Sequence, residues 1–150
     1  MPTFSRSLEQ SLHRALALAN ERHHEYATLE HLLLSLTEDQ DAASALRGCG
    51  VDLERLRKEL TDYIDASLDQ LVTGASGDSK PTTGFQRTIQ RAILRGPSSG
   101  RETTGADALV TLFSEADSAA VELLKRHGMT VGRALDYIGQ GKALGGGQSG

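Results

Sequence analysis

Apolar residues recur at helical spacing along most of this chain. The strongest instance is Tyr26-Ala27-Thr28-Leu29-Glu30-His31-Leu32-Leu33-Leu34-Ser35-Leu36. Leu29, Leu32, Leu33 and Leu36 form a wide apolar face, so this segment belongs in a core. Thr28 is placed to cap it, and Glu30 lies in the first turn, where the helix dipole favours a carboxylate. Before it, Leu8, Leu12, Ala15, Leu16 and Ala19 mark the buried stripe of a first helix capped by Ser5 or Ser7. That helix runs out in Glu21-Arg22-His23-His24-Glu25. After it, Ala42, Ala43, Ala45 and Leu46 predict a short third helix closed by Gly48 and Gly50. Asp52 caps a fourth, with Leu53, Leu56, Leu60 and Ile64 on one face.

The pattern fades from Ser67 to Thr83. Gly74 to Pro81 is small, polar and rich in breakers, which predicts a loop between halves. Periodicity then resumes in the same order. Phe85, Ile89, Ala92 and Ile93 repeat the spacing of Leu8, Leu12, Ala15 and Leu16 at an offset of 77. Gly96-Pro97 stops this helix. Thr104, Leu109 and Leu112 answer Thr28, Leu33 and Leu36 at an offset of 76. Ala119, Ala120, Leu123 and Leu124 predict the third helix of this half, closed by Gly128. Val131, Ala134, Leu135 and Ile138 predict the last, with Val131 and Ile138 answering Leu53 and Leu60 at an offset of 78. Four matched elements in one order predict an all-α fold: two pseudo-symmetric four-helix repeats, about 5–66 and 83–140, packed as one domain spanning 1–141. The stretch 142–150 predicts a flexible glycine-rich linker, because residues 139–150 include six glycines. A tether of this kind suggests that something larger follows.

Composition narrows the function. Only 4% of the 150 residues are aromatic and 38% are hydrophobic, so Leu and Ala carry the core, as helices prefer. A net charge of −4 disfavours general nucleic-acid binding, which needs a surplus of Lys and Arg. No apolar run approaches the roughly 20 residues of a membrane span, and no apolar segment follows Met1-Pro2-Thr3-Phe4 as in a secretory signal. The single Cys49 has no intrachain disulfide partner, which fits a reducing, cytoplasmic setting. Cys49 lies between two glycines in a helix-closing turn, where no base activates it.

Candidate chemistry is sparse. His23, His24 and His31 with Glu25 and Glu30 are metal-ligand types, but their spacing does not match H-E-x-x-H and no fourth ligand is close. No metal site is therefore expected. His23 and His24 are expected at the surface, and His31 near the start of its helix as a cap or packing group. Arg87 and Arg91 lie one turn apart, opposite the Phe85 and Ile89 stripe, on what reads as a solvated face. Ser98-Ser99 lacks the surroundings of a nucleophile elbow. No G-x-x-x-x-G-K-[ST] phosphate loop is present, since none of Lys58, Lys80, Lys125 and Lys142 precedes Ser or Thr.

The run His24-Glu25-Tyr26-Ala27-Thr28-Leu29-Glu30-His31-Leu32-Leu33-Leu34 resembles the T-x-E-H-L-L-L motif of Clp unfoldase N-terminal domains. Phe85-Gln86-Arg87-Thr88-Ile89-Gln90-Arg91-Ala92, Ser98-Ser99-Gly100-Arg101 and Thr104-Gly105-Ala106 resemble the ClpA branch. The likeness covers about Phe4 to Gly141, and that family's fold is the same doubled four-helix unit. Gly96-Pro97 and the short segment between Gly100 and Gly105 depart from the ClpA pattern. The resemblance implies the mobile N-terminal module of an ATP-driven ring that unfolds proteins and feeds them to the ClpP peptidase. It implies docking of the adaptor ClpS, which delivers N-degron substrates. It implies no enzyme activity and no cofactor for this chain, with ATP and Mg in the full-length protein, and a monomeric isolated domain. Carried over by motif, the adaptor-binding residues are Glu25, Glu30 and Thr82, with Arg87 in addition. Glu25 and Glu30 are expected to face outward as a compact acidic patch. ClpC-type domains carry T-E-H in both repeats and use the two glutamates to read phosphoarginine. Here Ala106 stands where the second repeat would need its acid, so that reading is not expected. The alternative is a free-standing regulatory or peptide-binding protein of the same fold.

Overall fold

The computed structural model of the chain describes residues 4–67, 79–95 and 102–138. The expected breaker-rich loop before Ser79, the Gly96-Pro97 stop, Ser98-Ser99 and the glycine-rich end lie outside the described residues. Repeat one contributes α1 (Arg6–Glu21), β1 (Tyr26–Ala27), α2 (Leu29–Leu36), α3 (Gln40–Gly48) and α4 (Leu53–Ser67). Repeat two contributes β2 (Lys80–Pro81), α5 (Thr83–Arg95), α6 (Gly105–Leu112), α7 (Ala119–Arg126) and α8 (residues 131–138). The fold is all-α, as the periodicity predicts.

The starts and stops follow from local chemistry. Ser5, rather than Ser7, caps α1 by accepting from Leu8 N at 3.0 Å. Asp39 caps α3 through Asp41 N and Ala42 N, both at 2.9 Å. Ser118 caps α7 through Val121 N at 3.2 Å. Gly50 and Gly128 both take φ +84° after α3 and α7, a left-handed turn that glycine adopts without a Cβ penalty. The same residue type thus closes the third helix of each repeat.

The two-fold relation extends to the backbone. Thr82 N donates to Ala27 O at 3.0 Å, joining the entry of α5 to the entry of α2. Ser5 N donates to Thr103 O at 2.8 Å, joining the entry of α1 to that of α6. These are the same bond with the repeats exchanged, since Ser5 matches Thr82 and Ala27 matches Thr103. The first lies beside a two-stranded parallel pairing, Tyr26 with Lys80 and Ala27 with Pro81, and the second beside a parallel bridge between Phe4 and Thr103 among the described residues.

The leucines of α2 and α6 occupy the centre. Leu32, Leu33, Leu36, Leu109 and Leu112 have no exposed surface, and burial of each contributes about 1.5–3 kcal/mol relative to exposure. The last helix is less enclosed than its apolar spacing suggests. Ala134 is fully buried, but Val131 is 42% and Leu135 39% exposed.

Candidate functional site

The strand pairing brings two of the expected contact residues together. Glu25 is exposed immediately before β1, and its carbonyl accepts from Lys80 N at 3.0 Å. Thr82 follows β2, half-buried. Its amide completes the ladder on Ala27, and its hydroxyl accepts from Phe85 N at 3.2 Å to cap α5. Tyr26, Lys80, Pro81, Thr82, Thr83 and Gln86 line a shallow recess of about 490 Å³ on this face. With Lys80 beside Glu25, the surface carries both signs of charge rather than a purely acidic patch.

Glu30 is not where the motif suggests. It is 6% exposed, and its Oε2 accepts from Ala120 N at 3.0 Å. Ala120 is the second residue of α7, whose amide has no partner within its own helix. The carboxylate of repeat one therefore completes a helix start of repeat two, where the dipole also favours negative charge. The expectation of an outward-facing Glu30 is corrected on this ground. The position also explains why the echo lacks an acid. At the corresponding start of α3, Ser7 Oγ accepts from Gln40 N at 3.0 Å and Asp39 serves the next two amides, so Ala106 leaves no N–H unserved.

Arg87 is exposed on α5, but its guanidinium is engaged. Nε and Nη2 bond both oxygens of Glu115 at 3.0 and 2.7 Å, and Arg91 adds a third bond at 2.7 Å. The hydrogen bond from Arg87, followed by that from Arg91, holds the Glu115 carboxyl down to about 2. These groups line a second recess of about 360 Å³ with Leu29 and residues 114–118. The two arginines are thus an anchored ion-pair cluster rather than a free solvated face.

His24 also departs from expectation, being 4% exposed rather than superficial. His31 bears out its capping role. Thr28 N donates to His31 Nδ1 at 2.9 Å, so in the neutral ring Nε2 carries the proton and meets His24 Nδ1 at 3.0 Å. The echo uses Asp107, whose Oδ2 accepts from Thr104 N at 2.9 Å. The signature T-x-x-[H/D] at both caps was readable in the sequence.

Burial first, then the charges of His24 and Arg22, lower His31 to about 4 from 6.5. The unfolded chain therefore takes up a proton below about pH 6.5 that the folded chain refuses until about pH 4. Stability supplied by neutral His31 is complete above pH 6.5 and is lost as pH falls through this window, by up to about 3 kcal/mol. Urea unfolding at pH 7.0 and 5.0 checks this: wild type should lose stability more steeply than a His31→Gln variant. Equal slopes would contradict it.

A third surface lies between the first helices of the repeats. Leu12 and Leu16 of α1 face Phe85 and Ile89 of α5 across an apolar groove of about 310 Å³, with Pro81 and Gln86 shared with the ladder recess. Among the described residues, no group of three or more His, Cys, Asp and Glu side chains is placed to hold a metal ion, and no helix is long and apolar enough to cross a membrane. Cys49 is buried, and burial raises its thiol above the ordinary range.

Residues 3–127 match the family model described as Clp repeat (R) N-terminal domain. The chain belongs to this family. It is 52% identical over 145 residues to the ClpA homolog protein of Fuscovulum blasticum, covering 95% of this chain and 18% of that protein. The chain thus spans under a fifth of that relative's length. The N-domain of ClpV from Vibrio cholerae superposes with a TM-score of 0.73 at 18% identity, covering 92% of this chain and 84% of that one. A complex of a ClpV N-domain with a VipB peptide superposes with a TM-score of 0.64 at 19% identity, covering 86% and 80%. The structural likenesses carry the Clp N-domain fold, and the sequence likeness carries the ClpA affinity.

Proposed function

We propose that this chain is the adaptor- and substrate-docking module of a ClpA-type protein unfoldase, and that it binds ClpS through the β1–β2 ladder. The observation that carries the reading is the convergence of exposed Glu25 with Thr82 on that ladder. More than a third of the chain separates these residues in sequence. The 52% identity to a ClpA homolog supports the branch. Glu25 offers a carboxylate to a basic adaptor group, and Thr82 and Tyr26 flank it. Rim contacts of this kind set encounter rate and specificity more than raw affinity. Glu30 and Arg87 act from behind. Glu30 fixes α7 against α2, and Arg87 ties α5 to the loop that enters α7.

Substrate segments are the second partner. The α1–α5 groove suits an apolar side chain or two of an unfolded chain, and that a ClpV N-domain is solved with a peptide supports a peptide-binding role for the fold. ATP, Mg and the interaction with ClpP belong to modules beyond this chain, in a cytoplasmic ring that unfolds N-degron substrates for degradation by ClpP. The module itself performs no chemistry.

Titration of purified ClpS onto the isolated chain tests the reading. Saturable one-to-one binding at roughly tens of micromolar or tighter is expected, the range of small transient interfaces. No binding in that range would overturn the adaptor assignment.

A further inference from the structure

The ladder that carries Glu25 and Thr82 is only two residues long on each side, and isolated pairings of that length are not stable in water. Something other than the ladder must set its register. The structure provides a polar clamp at its upstream end. Ser79 N donates to Asn20 Oδ1 at 2.6 Å, and Ser79 Oγ donates to His24 O at 2.5 Å. The acceptors lie in the last turn of α1 (Asn20) and in the turn that leaves it (His24). That turn is itself defined: His23 takes φ +58°, His23 N donates to Asn20 O at 3.0 Å, and His24 N donates to Ala19 O at 2.9 Å. Ser79 is therefore locked to a rigid helix end through two bonds, and the next residue, Lys80, enters the ladder on Glu25.

We propose that Asn20 is a positioning residue for the docking surface, its side-chain oxygen setting the register in which residues 80–82 join Glu25 to Ala27. Asn20 need not touch the adaptor. Its side chain lies at the exposed end of α1, so its loss leaves the leucine core intact. Without it, Ser79 N–H exchanges its protein acceptor for water, and the short pairing opens more often. Thr82 then spends less time beside Glu25, and the adaptor meets a surface that is assembled for a smaller fraction of the time. The inference rests on the docking reading for its consequence, but not for its structural half.

Amide hydrogen exchange and ClpS titration on wild type, Asn20→Ala and Asn20→Asp test it together. Aspartate keeps an acceptor oxygen in the same place, so it separates the hydrogen bond from any general effect of mutation. In Asn20→Ala, exchange at Lys80 and Thr82 should speed by about fivefold, the factor expected for one lost hydrogen bond. The Ser5 amide, which makes the matching bond in the other half, should be unchanged. ClpS affinity should weaken by up to the same factor, in proportion to the assembled fraction lost, and Asn20→Asp should restore both. Unchanged exchange in Asn20→Ala, or an Asn20→Asp variant as impaired as Asn20→Ala, would overturn the clamp. Faster exchange with unaltered affinity would overturn the positioning role. Absence of ClpS binding by wild type would strike the docking reading instead, while the exchange data still decide the clamp.

Discussion

Gly105→Ala is expected to destabilise the domain by about 2–4 kcal/mol, measured as the shift in its urea unfolding midpoint. Gly105 is the first residue of α6, and a Cβ built on it overlaps the carboxylate of Asp39. Asp39 cannot give way cheaply. It has no exposed surface. Oδ1 accepts from Asp41 N and Ala42 N, and Oδ2 accepts from the hydroxyls of Ser7 and Ser11 at 3.0 Å each. Moving it uncaps α3 and takes the acceptor from the half-buried Ser7 hydroxyl, while Ser11 keeps the Ser7 carbonyl at 2.9 Å; a buried group left unserved costs about 1–3 kcal/mol. Gly48→Ala is the natural comparison. Its Cβ would overlap the ring of Tyr137, a half-buried side chain on the last described helix. That ring can swing outward, so the loss should be smaller. A Gly105→Ala midpoint within error of wild type would contradict the account of this contact.

Glu30→Ala is expected to lower stability by about 2–3 kcal/mol, and Glu30→Gln by clearly less. Alanine removes the carboxylate that serves Ala120 N and leaves space beneath α7. Glutamine keeps a carbonyl oxygen for the same bond and loses only the charge at the helix start. The order is diagnostic. An exposed, adaptor-facing glutamate would show little effect on stability in either variant, since surface substitutions generally fall within about 0.5 kcal/mol.

Glu30 also illustrates what can be read without a structure. A first-turn acid after a threonine cap looks the same whether its carboxylate meets water or the amide of a distant helix. Its partner Ala120 lies in the other repeat, and nothing local announces it. His24 failed for the same reason: it sits in a polar run, and only the return of Ser79 and the approach of His31 enclose it. Asn20 and Ser79 were invisible as a pair, because their bond is a tertiary fact between two ordinary polar residues. The repeat was legible because it rests on many positions at once. Leu33 with Leu109, Leu36 with Leu112 and Gly50 with Gly128 each report the same offset to within two residues, burial enforcing the leucines and a left-handed φ the glycines. Val131 and Leu135 mark the limit of that logic. Helical spacing of apolar residues predicts the helix, but how deeply it packs depends on what lies against it.

Two of the contacts between the repeats use different chemistry at matched places. One places the Glu30 carboxylate on the start of α7. The other presses the Asp39 carboxylate against Gly105 at the start of α6. The pseudo-symmetric frame is therefore shared, while the groups that close it are not. The chemistry of the two halves differs in sequence too, because Glu25 and Lys80 of the ladder are answered by Arg101 and Thr3 at the repeat offset. The proposed docking on one side of the doubled fold rests on that difference, with Glu25 rather than Glu30 as its charged contact.

Comparing Glu25→Lys with Glu30→Gln by ClpS affinity and thermal unfolding tests this division of labour most directly. Glu25→Lys is expected to weaken ClpS binding by at least about tenfold through charge reversal, with an unchanged melting temperature. Glu30→Gln is expected to lower the melting temperature and leave affinity within about twofold, because the Glu30 carboxylate faces a helix start and not the adaptor. Normal ClpS affinity in Glu25→Lys, with a loss of binding at full stability in Glu30→Gln, would contradict that division.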